Sequence, residues 1–386
     1  MSRLDDLIME LSPNGIEYKK ISSFSKVLRG KRLTKDKLSA ENSIPVYHGG
    51  IEPLGFYDKA NRSANMVMII NVGASAGTVA YSDVEFWSSD GCFCIDKSKE
   101  INDRYLFHYM KNNEHFFMSK VRKAGIPTLD NFIVEEFKVP VPPLEVQREI
   151  VRVLDSFMLL TAELTAELTA RKKQYEFYRS KLLSFENENI KWLQLSELFN
   201  TRNGYTPSKN DSELWKNGTV PWFRMEDIRE NGRILNDAFQ KVSEKAIKGE
   251  KFPANSIIIS TSATIGEHAL LTCESLANQR FTYLMIKDKY KESFDYKFLY
   301  YYCFKLDEYC LKCLNQGNFA SVDMKKFNKF QFPVIPIEEQ NRIVAILDRF
   351  DTLCNDISEG LPAEIEVRQK QYEYYRDKLL TFKELS

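Results

Sequence analysis

The residues of this chain that could do chemistry are few, and the densest group of them is basic. Between positions 19 and 37 stand Lys19, Lys20, Lys26, Arg29, Lys31, Arg32, Lys35 and Lys37 against a single acid, Asp36. Cationic side chains on a loop broken by a glycine, here Gly30, are what phosphate contacts need. Across all 386 residues, 54 Lys and Arg cancel 54 Asp and Glu, so the cationic stretch is a local feature on a compensated surface. Cys310-Leu-Lys-Cys313 has the spacing of a zinc or redox pair. No second pair or nearby His completes four ligands, and Tyr300, Tyr301, Cys303, Leu306 and Tyr309 around it spell a helix face, so core thiols and no metal are expected. His48, His108, His115 and His268 are too dispersed to make a site. Only His48 falls in a candidate DNA loop, where a plain surface or turn role fits it equally well.

Enzymatic motifs are missing where they would be needed. A DNA amino-methyltransferase calls for Asn/Asp-Pro-Pro-aromatic, but the one Pro-Pro, Pro142-Pro143, lies between Val141 and Leu144. Gly73-Ala-Ser-Ala-Gly77 has the wrong spacing for a dinucleotide loop and no ribose-binding acid after it. Gly30-Lys31 is followed by Arg32 rather than Ser or Thr, and Ser25 stands where a Walker loop needs its first Gly. Glu17-Tyr-Lys19 has the tail of a nuclease signature, but Pro13-Asn14 lacks the metal-binding carboxylate. No catalytic residue is therefore expected. Seven cysteines, an odd number, read as reduced thiols, and the opening MSRLDDLIMEL is no signal peptide. With no run near the ~18 apolar residues of a membrane span, a cytoplasmic protein is expected.

The elements that would position the candidates come from an internal repeat. Pro143 to Phe157 (PLEVQREIVRVLDSF) recurs as Pro336 to Phe350 (PIEEQNRIVAILDRF), and Arg171 to Phe185 (RKKQYEFYRSKLLSF) recurs as Arg368 to Phe382 (RQKQYEYYRDKLLTF). Both copies carry a heptad seam, the pattern of a coiled coil. The first runs Ile150, Leu154, Phe157, Thr161, Leu164, Leu168, Arg171, Tyr175, Tyr178, Leu182, Phe185. The second runs Ile343, Leu347, Phe350, Cys354, Ile357, Leu361, then Arg368, Tyr372, Tyr375, Leu379, Phe382. A four-residue insertion in the second copy surrounds Gly360 and Pro362 and predicts a kink or short break. Each helix should run about 40 residues, a rod of roughly 60 Å. The helices are expected to pair with each other, with Tyr175, Tyr178, Tyr372 and Tyr375 in the rod core.

The segments before the helices repeat more weakly. Ile44-Pro-Val-Tyr47 matches Val220-Pro-Trp-Phe223, and the apolar runs Met66–Ile70 and Ser256–Ile259 each lead to a glycine, Gly77 and Gly266. Short strands between Gly, Asn and Ser turns predict strand-rich domains, each with one late helix, over 102–112 and 295–314. The fold class expected is α+β. Two similar recognition domains, 1–141 and 188–334, alternate with spacer helices, 142–187 and 335–386; the helices lie antiparallel in a pseudo-two-fold arrangement. Two diverged heads on spacers that are close copies suit a split, non-palindromic DNA target with a gap of about one helical turn or less. Candidate DNA contacts are Lys31, Arg32, Lys35, Tyr47, His48, Arg122 and Lys123 in the first head. In the second they are Arg202, Tyr205, Lys209, Arg224, Gln279, Arg280 and Asn318.

The pattern Pro-Leu/Ile-x-x-Gln-x-x-Ile-Val-x-x-Leu-Asp, followed by Arg-x-Lys-Gln-Tyr-Glu-x-Tyr-Arg-x-Lys-Leu-Leu-x-Phe and present twice, closely resembles the conserved regions of type I restriction–modification specificity subunits. The resemblance covers the whole chain. It implies a non-catalytic, double-stranded-DNA-binding subunit that recruits two modification subunits, which methylate adenine N6, and restriction subunits. S-adenosylmethionine, ATP and Mg would belong to those partners, with no cofactor in this chain. Two other readings compete: a single-chain DNA methyltransferase or nuclease, opposed by the missing motifs, and a protein-only coiled-coil adaptor. The basic loop and the divergence of the heads argue against the adaptor.

Overall fold

The computed structural model describes residues 3–185, 190–315, 320–356 and 358–385. They form two compact units, one from Met1–Thr165 with Glu364–Ser386 and the other from Ala166–Ala363. Each is mixed α+β.

In the first unit the run Met66–Ile70 is the central strand of a four-stranded antiparallel sheet, between Cys92–Ile95 and Val79–Ser82, with Val27–Arg29 at the edge. All five of its residues are buried because both faces of the strand are covered. Alternation sorts them: Val67 and Ile69 enter a core with the late helix Asp103–Asn112, while Met66, Met68 and Ile70 enter a second, smaller core with Phe86, Cys92 and Cys94. A three-stranded sheet, Gly55–Tyr57, Ile44–Tyr47 and Trp87–Ser88, contributes the parallel pairing of Val46 with Trp87 and Tyr47 with Ser88.

The second unit repeats this plan with one strand more. Ser256–Ser260 lies between Phe281–Ile286 and His268–Leu271 in a five-stranded sheet, and Ile257 and Ile259 part from Ile258 into different cores. Its three-stranded sheet pairs Trp222 with Leu276 and Phe223 with Ala277, again in parallel. The late helix is Tyr296–Lys312. Cys310 and Cys313 are buried in the adjoining core, where burial pushes the Cys310 thiol up to about 12.

The first spacer is one helix, Leu144–Leu182. The second is not a single rod: it divides into Ile337–Asn355 and Leu361–Leu379. The cause is local. The Asp356 carboxylate accepts from the backbone N–H of Ser358 and of Glu359, making a turn, and Gly360 lies so close to the preceding helix that a Cβ there would sit 2.4 Å from the Thr352 carbonyl oxygen. Pro362 then occupies the first turn of the next helix, where a missing N–H costs nothing. Ile357 lies outside the described residues.

Within each unit the spacer segments run in opposite senses. In the first, Phe157 stacks on Tyr375, and the chain after the last helix returns to Ile16 and Tyr18, beside the strand Lys138–Pro140 that leads into the long helix. In the second, Tyr178 stacks on Phe350, while the charges of Lys172 and Arg171, earlier on the long helix, act on the later Cys354. Two of the four seam tyrosines depart from the expected rod core: Tyr178 is 36% and Tyr375 39% exposed, whereas Tyr175 is buried. The reason is that their rings lie flat on single phenylalanines at the margin of the contact. Phe157, Leu164 and Leu168 are half-buried, and the tightest packing is instead onto the heads. Ile150 and Leu154 join the first head's core with Leu106 and Met110, and Ile343 and Leu347 join the second's with Phe298 and Leu299. Tyr372 and Leu379 pack against the first of these cores, Leu182 against the second.

The repeated glutamine of the motif docks each head. Gln147, fully buried, donates to the carbonyls of Pro142 (2.7 Å) and Glu100 (3.0 Å) and accepts from the N–H of Asn102 (2.7 Å), the N-cap of the late helix. Gln340 repeats the set with Ile335 (2.9 Å), Ser293 (2.9 Å) and the N–H of the N-cap Asp295 (2.9 Å).

Candidate nucleic-acid interface

The candidate contacts in each head rest on loops tied together by the same backbone hydrogen bonds. In the first, Lys31 N–H bonds the Ser88 carbonyl, Ser89 N–H that of Tyr47, Asn71 N–H that of Gly91, and Leu129 N–H that of Asn71, at 2.8–3.1 Å. In the second, Tyr205 bonds Ala277, Asn278 bonds Phe223, Thr261 bonds Arg280, and Val322 bonds Thr261, at 2.8–3.1 Å. Gly30 and Gly204 open the two sets, each so near the strand beneath that a Cβ would strike a carbonyl oxygen, of Ser89 at 1.8 Å and of Ala277 at 2.4 Å. Only glycine fits such a crossing. The heads thus hold equivalent frames: Arg32 corresponds to Thr206, His48 to Arg224, Asn71 to Thr261, Asp90 to Gln279, and Gly91 to Arg280.

In the first head this frame encloses a cleft of about 490 Å³, lined by Arg32, Lys35, His48, Asn71, Asp90 and Thr128 among others. His48 Nδ1 accepts from the Gly91 N–H at 3.2 Å and lies 3.2 Å from the Asp90 carboxylate. Asn71 is 7% exposed, and its side-chain oxygen is buried with no partner among the described residues. The cleft therefore offers cations for phosphate or guanine, a carboxylate for an amino group, and an amide that can do either.

Of the sequence candidates in this head, Arg32, Lys35 and His48 line the cleft and Lys31 is exposed beside it on the same loop. Tyr47, the last residue of its strand, is turned instead toward the small core beneath. Its ring meets Phe86 edge-on at 5.6 Å, and burial raises its hydroxyl above the usual tyrosine range. Arg122 pairs with Asp130 at 2.9 Å on the exposed loop that carries Lys123 and ends at Thr128. The eight basic residues between positions 19 and 37 do not form one patch: Lys19 is held by Glu100 and Lys20 by Glu136.

In the second head, Gln279 accepts from the Thr206 hydroxyl, Arg280 is exposed, and Arg224 begins a short helix, with its backbone N–H bonded by Asp227 at 2.6 Å. Two candidates are committed to the fold instead. Arg202 lies 3.9 Å from the centre of the Phe252 ring and donates to the Glu250 carbonyl, and the Tyr205 hydroxyl ties the 246–248 loop. Lys209 is exposed, and Asn318 lies outside the described residues. Sequence reasoning missed Asn71, Asp90, Thr206 and Thr261. Asn71 had a signal, as the polar residue ending the apolar run Met66–Ile70, whereas Thr261, which follows Ser260, and Asp90 and Thr206 had none. A larger cavity in this unit, about 810 Å³, mixes Lys172, Arg179, Arg229 and Arg233 with Glu176, Glu230, Asp351 and Asp356 and includes none of the frame residues. Among the described residues no cluster of His, Cys, Asp and Glu could hold a metal, and no helix is long and apolar enough to cross a membrane.

Two units of one plan, each presenting a different side-chain set on the same loop frame, define a duplicated recognition protein, and the family agrees. Residues 13–171 and 187–367 each match the type I restriction modification DNA specificity domain, and the chain belongs to that family. It is 30% identical over 387 residues to a putative type I restriction enzyme specificity subunit of Haemophilus influenzae, covering 96% of this chain and 97% of that one. It is 54% identical over 215 residues to the EcoprrI specificity subunit and 42% over 271 to the EcoR124I/EcoR124II specificity subunit, both of Escherichia coli; these alignments span 53% and 63% of those relatives. The fold matches the crystal structure of a type I S subunit from M. genitalium at 17% identity, with TM-score 0.63 over 95% of this chain and 96% of that one.

Proposed function

We propose that this chain is the non-catalytic DNA-reading subunit of a type I restriction–modification complex, and that it recognises a two-part, asymmetric site in double-stranded DNA. The observation that carries the reading is the matched loop frame: four backbone hydrogen bonds recur between the heads while the side chains they present differ. A frame kept constant under changing side chains is the arrangement expected of two readers with different targets. The gap between half-sites follows from spacers of fixed length, the first a 39-residue helix. Partners of the complex would be two modification subunits, which methylate adenine N6, and ATP-dependent restriction subunits. S-adenosylmethionine, ATP and Mg belong to those partners, and nothing in this reading asks this chain to bind them. The two sequence blocks that recur in both spacer copies support two like partners, one for each copy, in the cytoplasm.

The test is to co-express the chain with a type I modification subunit and map methylated adenines genome-wide. A single two-part motif, split by a fixed gap and lost when this chain is omitted, is the expected result. A contiguous or palindromic motif, or methylation by the chain alone, refutes the reading.

A further inference from the structure

We propose that the frame positions 32/206, 48/224, 71/261, 90/279 and 91/280 are the base-reading set of each head, so that a half-site follows from the side chains placed there. The inference rests on the DNA-reading function above and narrows it to named positions.

Three observations lead to it. The first is that the backbone around these positions is matched by four recurring hydrogen bonds, all at 2.8–3.1 Å, so the heads differ there in side chains rather than in path. Nowhere in the set do the two heads carry the same residue: Arg32, His48, Asn71, Asp90 and Gly91 stand against Thr206, Arg224, Thr261, Gln279 and Arg280. The glycine that opens each frame, at 30 and at 204, is by contrast kept in both heads, because a Cβ there would collide with backbone.

The second observation is the state of Asn71. Its side chain lines the first head's cleft and is more than nine-tenths buried, yet its oxygen has no hydrogen-bond partner among the described residues. Buried acceptors are almost always satisfied, so an orphan on a residue that lines a cleft marks a place where a ligand donor can complete the bond. The equivalent Thr261 is closed: its hydroxyl pairs with Thr282, which donates to Asn203.

The third is the chemistry. Asp90 accepts from the exocyclic amino group of cytosine, and Asn71 bonds adenine at N6 and N7. In the second head a guanidinium replaces His48 and another replaces Gly91, giving Arg224 and Arg280, both suited to guanine O6 and N7, with Gln279 suited to adenine. The first half-site thus favours amino-bearing edges and the second favours guanine.

The experiment uses the full chain assembled with its modification subunit, on double-stranded DNA libraries in which one half-site at a time is randomised, with adenine methylation as the readout. H48R with D90Q carries second-head residues into the first head, and R224H with Q279D does the reverse. His48, Asp90 and Gln279 are exposed and Arg224 is half-buried, so the fold should persist, as thermal melting of each variant would report. Each pair should shift base preference about ten-fold or more in one half-site only. Retained methylation with both motifs unchanged would overturn the proposal. So would a uniform loss across all sequences in variants that melt normally, because phosphate contacts rather than base reading would then explain these residues. Absence of any DNA motif for the unaltered complex would instead overturn the DNA-reading function itself.

Discussion

The carboxylate of Asp155, on the first spacer helix, lies 2.8 Å from Nε2 of His108, whose side chain is completely buried on the late helix of the first head. Arg104, one helical turn earlier, donates to the same oxygen at 2.9 Å. In the second unit Asp348 takes the Tyr301 hydroxyl at 2.6 Å and the Lys297 ammonium at 2.7 Å. The aspartate of the repeated motif is the constant half of the contact, while its partners have changed from His and Arg to Tyr and Lys. Together with the glutamine two turns before it, it latches spacer to head.

That latch has a pH limit. Burial works to raise the Asp155 carboxyl, but the hydrogen bonds from His108 and Arg104 and the charge of Arg104 outweigh it, leaving the group below the usual carboxylate range. A carboxyl lowered in the folded state contributes stability that is complete above its unfolded value of about 3.9 and disappears as pH falls through the lower folded value. Asp155→Asn should therefore flatten the acid side of the stability curve of the first unit below about pH 4. Urea melts across that range, read on the isolated chain, check this; an unchanged slope contradicts the latch.

Gln147 answers three backbone groups at once, so shortening it leaves those groups buried and unpaired. Gln147→Ala should cost about 2–5 kcal/mol of stability in the first unit. Gln340→Ala should do the same to the second, because the three bonds recur there. Differential hydrogen exchange, with protection lost first in the late helix of the altered unit, distinguishes the two.

Arg224→Ala removes a guanidinium while the backbone N–H of residue 224 keeps its bond to Asp227. Preference at one half-site should weaken by about 1–3 kcal/mol at a single base position, with the other half-site unaffected. Arg202→Ala makes the contrast. Its guanidinium is spent on Phe252 and Glu250, so the expected result is lower thermal stability with the motif retained.

Lys31→Ala and Lys35→Ala should act on every sequence alike. Both side chains are exposed on the loop at the first cleft. Removing either should weaken binding across sequences and reduce the slope of log affinity against log salt by about one. Titrations of specific and scrambled duplexes at several salt concentrations provide the measurement, and a sequence-dependent loss would reassign these lysines to base reading.

The repeat, the helices and the family were legible in the sequence because heptad spacing and duplicated blocks are local patterns. The break near Gly360 was legible for the same reason, although its geometry, with the glycine against the Thr352 carbonyl, depends on a contact rather than a spacing. The direction of side chains on short strands was harder to read. Tyr47 and His48 are neighbours, and only the pairing register decides which of them faces solvent. Asp90 and Asn71 come to one cleft from loops nearly twenty residues apart, joined by the bond between Asn71 and Gly91 that no periodicity announces. Arg202 and Tyr205 were suitable by charge and by their place near Gly204, but an aromatic ring and a loop carbonyl had already engaged them.

Leu380 of the second block is buried in the first head's core, with Phe382 packed against it, whereas Leu183 and Phe185 of the first block are buried in the second head's core. Each copy thus supplies the closing wedge for its sibling's head. A foreign head recombined into either place would meet a ready-made seat, provided the seat's own residues had not drifted. Such cross-lending ties both blocks to a shared standard and leaves the loops at the clefts at liberty to diversify.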